Sequence, residues 1–264
     1  MAKRLAAAGF IAARAEARLL AGRAAGDAEL LERLLQRRLT GEPLAWIVGS
    51  ARFCGLHVRV EPGVFVPRSQ SEIIARRAAS RLPAAGIAID VCTGSGAVAM
   101  VLMRARPDAT VIATDIDPVA IACATANGVE ARHGDLFEGL PSSLHGSVDV
   151  VTAVVPYVPS AELPYLQRDT FTFETPLAYD GGRDGTRLLR RVIRDAARFL
   201  RPKGALLLEL GGEQAEVLRP HLRRHGFGSV TVLRDSDGDV RGVDARVTPN
   251  GIVSRRDGAR SRRA

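Results

Sequence analysis

An acid closes a short apolar run at Ile87-Ala88-Ile89-Asp90, and the turn Cys92-Thr93-Gly94-Ser95-Gly96 follows one residue later. Glycines in such a turn let the backbone come close to a ligand, and the helix expected after it offers N–H groups to an anion. Asp115 closes a second apolar run about 20 residues further on, the separation at which a carboxylate meets ribose hydroxyls. Asp135 and Leu136 follow a third run, where an acid and an apolar residue can meet the amino group and the face of an adenine. Carboxylates and a glycine turn at the ends of three successive strands fit the two halves of S-adenosylmethionine better than a dinucleotide. A dinucleotide fingerprint has three glycines, and Cys92 stands where the first would be. Asp90, Cys92, Thr93, Gly94, Ser95, Gly96, Asp115, Asp135 and Leu136 are therefore the expected cofactor-binding residues.

A fourth apolar run, 148–153, leads into Val154-Val155-Pro156-Tyr157-Val158-Pro159. A loop at that strand end opens into the same crevice as the glycine turn. Tyr157, held between prolines, can pack against a flat substrate group. The bland alternative is that the prolines only stiffen a turn.

The elements that must carry these residues follow from periodicity. Strands are expected at 87–91, 110–114, 129–132, 148–153 and 204–210, and helices at 95–105, 118–126, 186–200 and 213–225. Such alternation implies a parallel, doubly wound α/β sheet. Two further strand-like runs, 228–234 and 242–248, would add an antiparallel edge. Asp117-Pro118 reads as an N-cap followed by proline at the first helical position. Upstream, residues 1–40 read as helical, broken at Gly26-Asp27 with Asp27 as N-cap. Residues 53–60 read as one strand, Pro62-Gly63 as a turn, and Ser69-Gln70-Ser71-Glu72 as a capping box opening a helix. The expected division is a helical N-terminal cap (1–50), a linker hairpin and helix (51–82), a Rossmann-like domain (83–250) and a basic, disordered tail (251–264).

Composition sets outer bounds. The chain has 264 residues, 46% of them hydrophobic and 25% charged, which is ample for a core. A net charge of +8 permits contact with RNA or the ribosome without requiring it. Three cysteines, none in Cys-X-X-Cys spacing, argue against a disulfide framework or a zinc site and fit a reducing cytoplasm. No apolar stretch reaches membrane-spanning length, so neither membrane nor metal is expected, and a monomer is.

Taken together, these stretches resemble the HemK-type protein-(glutamine-N5) methyltransferases, which modify a glutamine of peptide chain release factors. The resemblance runs from about Leu30 to about Val247. It is carried by Gly41-Glu42-Pro43-Leu44-Ala45-Trp46-Ile47-Val48-Gly49, Phe65-Val66-Pro67-Arg68, Asp90 to Gly96, and Thr114-Asp115-Ile116-Asp117-Pro118. Gly134-Asp135-Leu136-Phe137, Pro156-Tyr157-Val158-Pro159, Leu177-Ala178-Tyr179-Asp180-Gly181-Gly182-Arg183-Asp184-Gly185 and Leu200-Arg201-Pro202-Lys203-Gly204 match as well. The chain departs from the family at several places. Val154-Val155 replaces the Asn-Pro of the family's Asn-Pro-Pro-Tyr, Ser69-Gln70-Ser71-Glu72 replaces a more acidic segment, Cys92 replaces a glycine, and the helical N-terminus is shorter. The resemblance implies S-adenosylmethionine as cofactor and a protein glutamine as acceptor, with Val154, Val155, Pro156 and Tyr157 lining the catalytic slot. An RNA base nitrogen, a ribosomal-protein glutamine, or cofactor binding without turnover remain the alternatives.

Overall fold

Strand–helix alternation from residue 87 onward builds a seven-stranded sheet. The structure, a computed structural model, describes residues 1–165, 173–174 and 178–249. The strands are β3 (Ile87–Val91), β4 (Thr110–Asp115), β5 (Glu130–His133), β6 (Val148–Ala153), β7 (Leu200–Glu209), β8 (Phe227–Arg234) and β9 (Val240–Val247). Their order is β5-β4-β3-β6-β7-β9-β8. The first five are parallel, and β9 runs antiparallel between β7 and β8. Asp90, the glycine turn, Asp115 and Asp135 thus gather at one edge, the carboxyl ends of three adjacent strands.

Period-two burial sorts the strand residues between two apolar layers. Ile89, Val91, Val151, Ala153, Leu206 and Leu208 face helices α8 (Arg187–Phe199) and α9 (Gln214–Arg224). Ala88, Val111, Ala113, Val150, Ala205 and Leu207 face α5 (Glu72–Arg81) and α6 (Ala97–Ala105). Helix α8 is amphipathic at helical spacing, burying Leu189, Val192, Ile193, Ala196 and Phe199. Helix α7 (Pro118–Ala126) begins as its sequence dictates, with Asp117 Oδ1 accepting from the Val119 N–H at 2.8 Å.

The N-terminal helices α1 (Ala2–Ala7), α2 (Ala13–Ala24), α3 (Ala28–Leu39) and α4 (Leu44–Val48) enclose their own apolar cluster, including Leu5, Leu20, Leu34, Leu35 and Ile47. Asp27 caps α3, its Oδ1 accepting from the Leu30 N–H at 2.9 Å.

Two local readings need correction. Residues 53–60 are not one strand. Strands β1 (Ser50–Phe53) and β2 (Leu56–Arg59) pair antiparallel about a two-residue turn in which Cys54 and Gly55 have φ of 49° and 80°. Positive φ at both central residues is what a tight hairpin twist demands. Nor does a capping box form. Residues 69–71 make a short 3-10 turn, and Glu72 Oε1 instead accepts from the Cys54 N–H at 2.8 Å while Oε2 pairs with Arg76. The hairpin has taken the carboxylate that the cap would have used.

The tail at 251–264 and Leu177 lie outside the described residues. Among the described residues no helix is long and apolar enough to cross a membrane.

Candidate functional site

The glycine turn is braced by acids rather than left bare. Asp90 is buried at 1% exposure, and its two oxygens accept from Thr93 Oγ1 and Thr152 Oγ1, each at 2.6 Å. Burial raises its pKa to about 6; the two hydroxyls oppose the shift and the neighbouring Asp115 adds to it. Asp90 thus ties the turn to β6 and has its oxygens committed inside the protein.

Asp115 braces the turn through both of its oxygens. Its Oδ2 accepts from the Gly94 N–H at 2.8 Å and Oδ1 from the Asp117 N–H at 3.0 Å. Each carboxylate oxygen has a second lone pair, so ribose hydroxyls can still be accepted. Burial raises its pKa, and the two backbone donors hold it back. Gly94 has φ of 56°, and nothing lies within 4 Å of where a Cβ would stand. The chain is open there, and helix α6 begins just beyond with its N-terminal donors. These features fit the aminoacyl and ribose parts of S-adenosylmethionine.

Cys92 has φ of 55°, a left-handed conformation that a side chain rarely adopts, in the place where the family resemblance expects glycine. Burial pushes its thiol pKa up, reinforced by Asp115, Asp90 and Asp135, so it remains neutral. Leu136 is also left-handed, at φ 56°, and buried, with its carbonyl accepting from Thr114 Oγ1 at 2.5 Å. Asp135 Oδ2 pairs with Arg191 at 2.9 Å. Arg191, on α8, was not foreseen, since nothing in its helix pattern links it to a residue 56 positions earlier.

Val155 is buried, and Val154 and Tyr157 are partly so. Val154 packs against the apolar cluster of Trp46, Val64, Val98 and Val101, together with Val66 and Phe173. Tyr157 is fixed at both ends. Gln214 Nε2 donates to its carbonyl at 2.8 Å, and its hydroxyl donates to Glu209 Oε1 at 3.0 Å while Gln70 Nε2 donates to the hydroxyl at 3.0 Å. Burial and the Glu209 charge push the phenol pKa up, so it stays protonated. Beside it opens a cleft of about 430 Å³ whose lining includes Leu210, Gly211, Gly212 and Arg241.

The glycine-rich run 181–185 has a clear task. A Cβ on Gly185 would stand 2.1 Å from the Tyr157 carbonyl oxygen, and its φ is 70°. Val158 N–H donates to the Tyr179 carbonyl at 2.9 Å and Gly181 N–H to the Val158 carbonyl at 2.8 Å. Backbone therefore lies directly on backbone, which holds the 154–158 loop from behind. Nearby, Glu174 is buried at 3% exposure; it accepts from the Val66 N–H at 3.1 Å and pairs with Arg68 and the Tyr179 hydroxyl.

A parallel sheet with one reversed strand near its edge, and a glycine turn braced by acids, define the Rossmann-like methyltransferase class. Solved structures agree in fold. A methyltransferase from Pyrococcus furiosus superposes with a TM-score of 0.53 at 19% identity, over 82% of this chain and 99% of that one. An E. cuniculi complex described as responsible for methylating the eRF1 translation termination factor gives 0.52 at 22% identity, over 70% and 99%. At such identity the likeness speaks to fold alone. No family model matches the chain. Curated relatives are closer in sequence. The release factor glutamine methyltransferase of Geobacter sulfurreducens is 37% identical over 219 residues, 81% of this chain and 76% of that protein. Its namesake in Salmonella typhimurium is 36% identical over 221 residues, covering 82% and 79%. The chain belongs to the release factor glutamine methyltransferase family.

Proposed function

We propose that this chain is an S-adenosylmethionine-dependent methyltransferase that modifies the side-chain amide nitrogen of a glutamine in a peptide chain release factor. The observation that carries the reading is its family membership, over four-fifths of its length, with proteins of that name. The open, acid-braced turn supports the cofactor assignment.

When bound, S-adenosylmethionine supplies an electrophilic methyl group on a sulfonium. The chain's part is placement. Asp115 accepts from the ribose hydroxyls, Asp135 and Leu136 meet the adenine, and residues 92–96 hold the methionine portion. An amide nitrogen is a weak nucleophile, so orientation at the Val154–Tyr157 loop supplies most of the gain. The Val155 carbonyl accepts one amide N–H, and the Tyr157 ring walls the slot. Val154 offers no side-chain acceptor for the second N–H. An unpaired buried donor costs about 1–3 kcal/mol, roughly a tenfold to hundredfold in rate. A division at about residue 50 is proposed on the separate apolar cluster of the N-terminal helices, while α5 shares the core of the sheet that follows it.

Methyl incorporation into purified release factor and into ribosomal RNA, compared side by side, tests the reading. Label in the RNA and none in the protein would replace it.

A further inference from the structure

We infer that Glu209 is a positioning residue for methyl transfer, holding Tyr157 and so the Val155–Pro156 backbone in place at the acceptor slot. The inference rests on the reading of that loop as the slot.

Glu209 is the last residue of β7 and is 3% exposed. Its Oε1 accepts from the Tyr157 hydroxyl at 3.0 Å and from Gln70 Nε2 at 3.3 Å. Its Oε2 is buried with no hydrogen-bond partner. Burial raises its pKa; Ser71 stands close enough to favour the charge without closing a bond of good geometry, and Gln70 and Tyr157 favour it further. A buried carboxylate with a bare oxygen is unfavourable for packing, and an apolar side chain there would suit the core better. What the carboxylate contributes is a junction. It ties the end of β7 to the turn at 69–71 and to the loop after β6.

Gln70 explains itself in the same way. Family resemblance expects acids after Pro67-Arg68, yet here the residue is a neutral donor. Its amide supplies the phenol oxygen with a donor while the phenol proton goes to Glu209. A carboxylate at 70 would leave the phenol oxygen unpaired and set two like charges together. With Gln214 on the Tyr157 carbonyl, both ends of the tyrosine are fixed. That rigidity matters more in a chain whose Val154 cannot hold the amide itself.

The test is a double-mutant cycle with Glu209→Leu, which removes the acceptor, and Tyr157→Phe, which removes the donor, run with the full chain. Each single change should lower kcat about tenfold, by loss of an oriented loop, and the pair should lower it no further, because both remove one interaction. The dissociation constant for S-adenosylmethionine should stay within about twofold, since the loop faces the acceptor. Tyr157→Phe conserves shape, so it carries the test even if Glu209→Leu folds poorly. A second readout needs no acceptor. The chain has three tyrosines, so the Tyr157 ring-carbon resonance is assignable by NMR. It should move on Glu209→Leu while those of Tyr165 and Tyr179 stay in place. Turnover is read on purified release factor or, should wild type leave that unmethylated, on whatever cell fraction it does methylate. In the latter case the proposed acceptor falls while the role of Glu209 is still decided. Multiplicative losses, unchanged turnover in Glu209→Leu, or an unmoved Tyr157 resonance would each overturn the inference.

Discussion

Asp115 serves two masters, and removing it should separate them. In the free protein its carboxylate accepts from the Gly94 and Asp117 N–H groups at 2.8 and 3.0 Å. Those bonds exist before any ligand arrives, so their loss in Asp115→Ala lowers stability and leaves affinity alone. Both donors sit at a half-buried edge where water can replace part of the contact, so a cost near the low end of about 1–3 kcal/mol is expected. On the proposed assignment, affinity falls through bonds to the ribose that would form only in the complex. A hydrogen bond to a charged group contributes about 1.5–3 kcal/mol, so Kd for S-adenosylmethionine should rise by roughly ten- to a hundredfold. Asp115→Asn keeps one acceptor oxygen and should fall between. Calorimetric titration gives the affinity, and urea unfolding without ligand gives the stability. Unchanged Kd with lowered stability would make Asp115 a brace for the turn and remove it from the cofactor site.

Asp90 provides a pH signature. Its folded pKa of about 6 lies above the ordinary carboxylate value. The folded state therefore binds an extra proton between the two values, and this group's contribution to stability falls as pH rises through that window. Asp90→Asn should flatten the dependence, the wild-type minus mutant difference falling by about 2–3 kcal/mol between pH 4 and 7; a constant difference across urea melts at both ends would contradict it. Gly185→Ala would press a methyl onto the Tyr157 carbonyl, so turnover should drop severalfold with little change in cofactor affinity, and unaltered kcat would show the loop is free to shift. Val154→Asn with Val155→Pro should raise transfer to release factor in kcat more than in cofactor Kd; lower activity would show the apolar slot to be suited to a different acceptor.

Local chemistry was legible in the sequence where one short stretch decides the outcome. Asp117-Pro118 and Asp27 cap their helices because donor and acceptor lie within one turn. The seven-stranded sheet was legible because period-two and helical burial alternate cleanly from Ile87 onward. What escaped notice was long-range. Glu72 was drawn from the cap it suited to the Cys54 N–H, 18 residues away. Cys54 takes a left-handed turn position that its side chain disfavours, so Gly55 alone marked a turn that needs positive φ at both central residues. Arg191 on Asp135, Glu209 on Tyr157 and Gly185 against the Tyr157 carbonyl join elements that only the folded sheet brings together. The family motif marked the run 181–185, while its reason, backbone seated on backbone, needed coordinates.

Mass-spectrometric mapping of purified release factor, incubated with this protein and S-adenosylmethionine, is the most direct measurement of all. The account predicts one added methyl group, on a glutamine side chain and stable as a secondary amide. A release factor left unmodified, while the same preparation methylates another protein or an RNA, would contradict the account and leave the fold without the proposed acceptor.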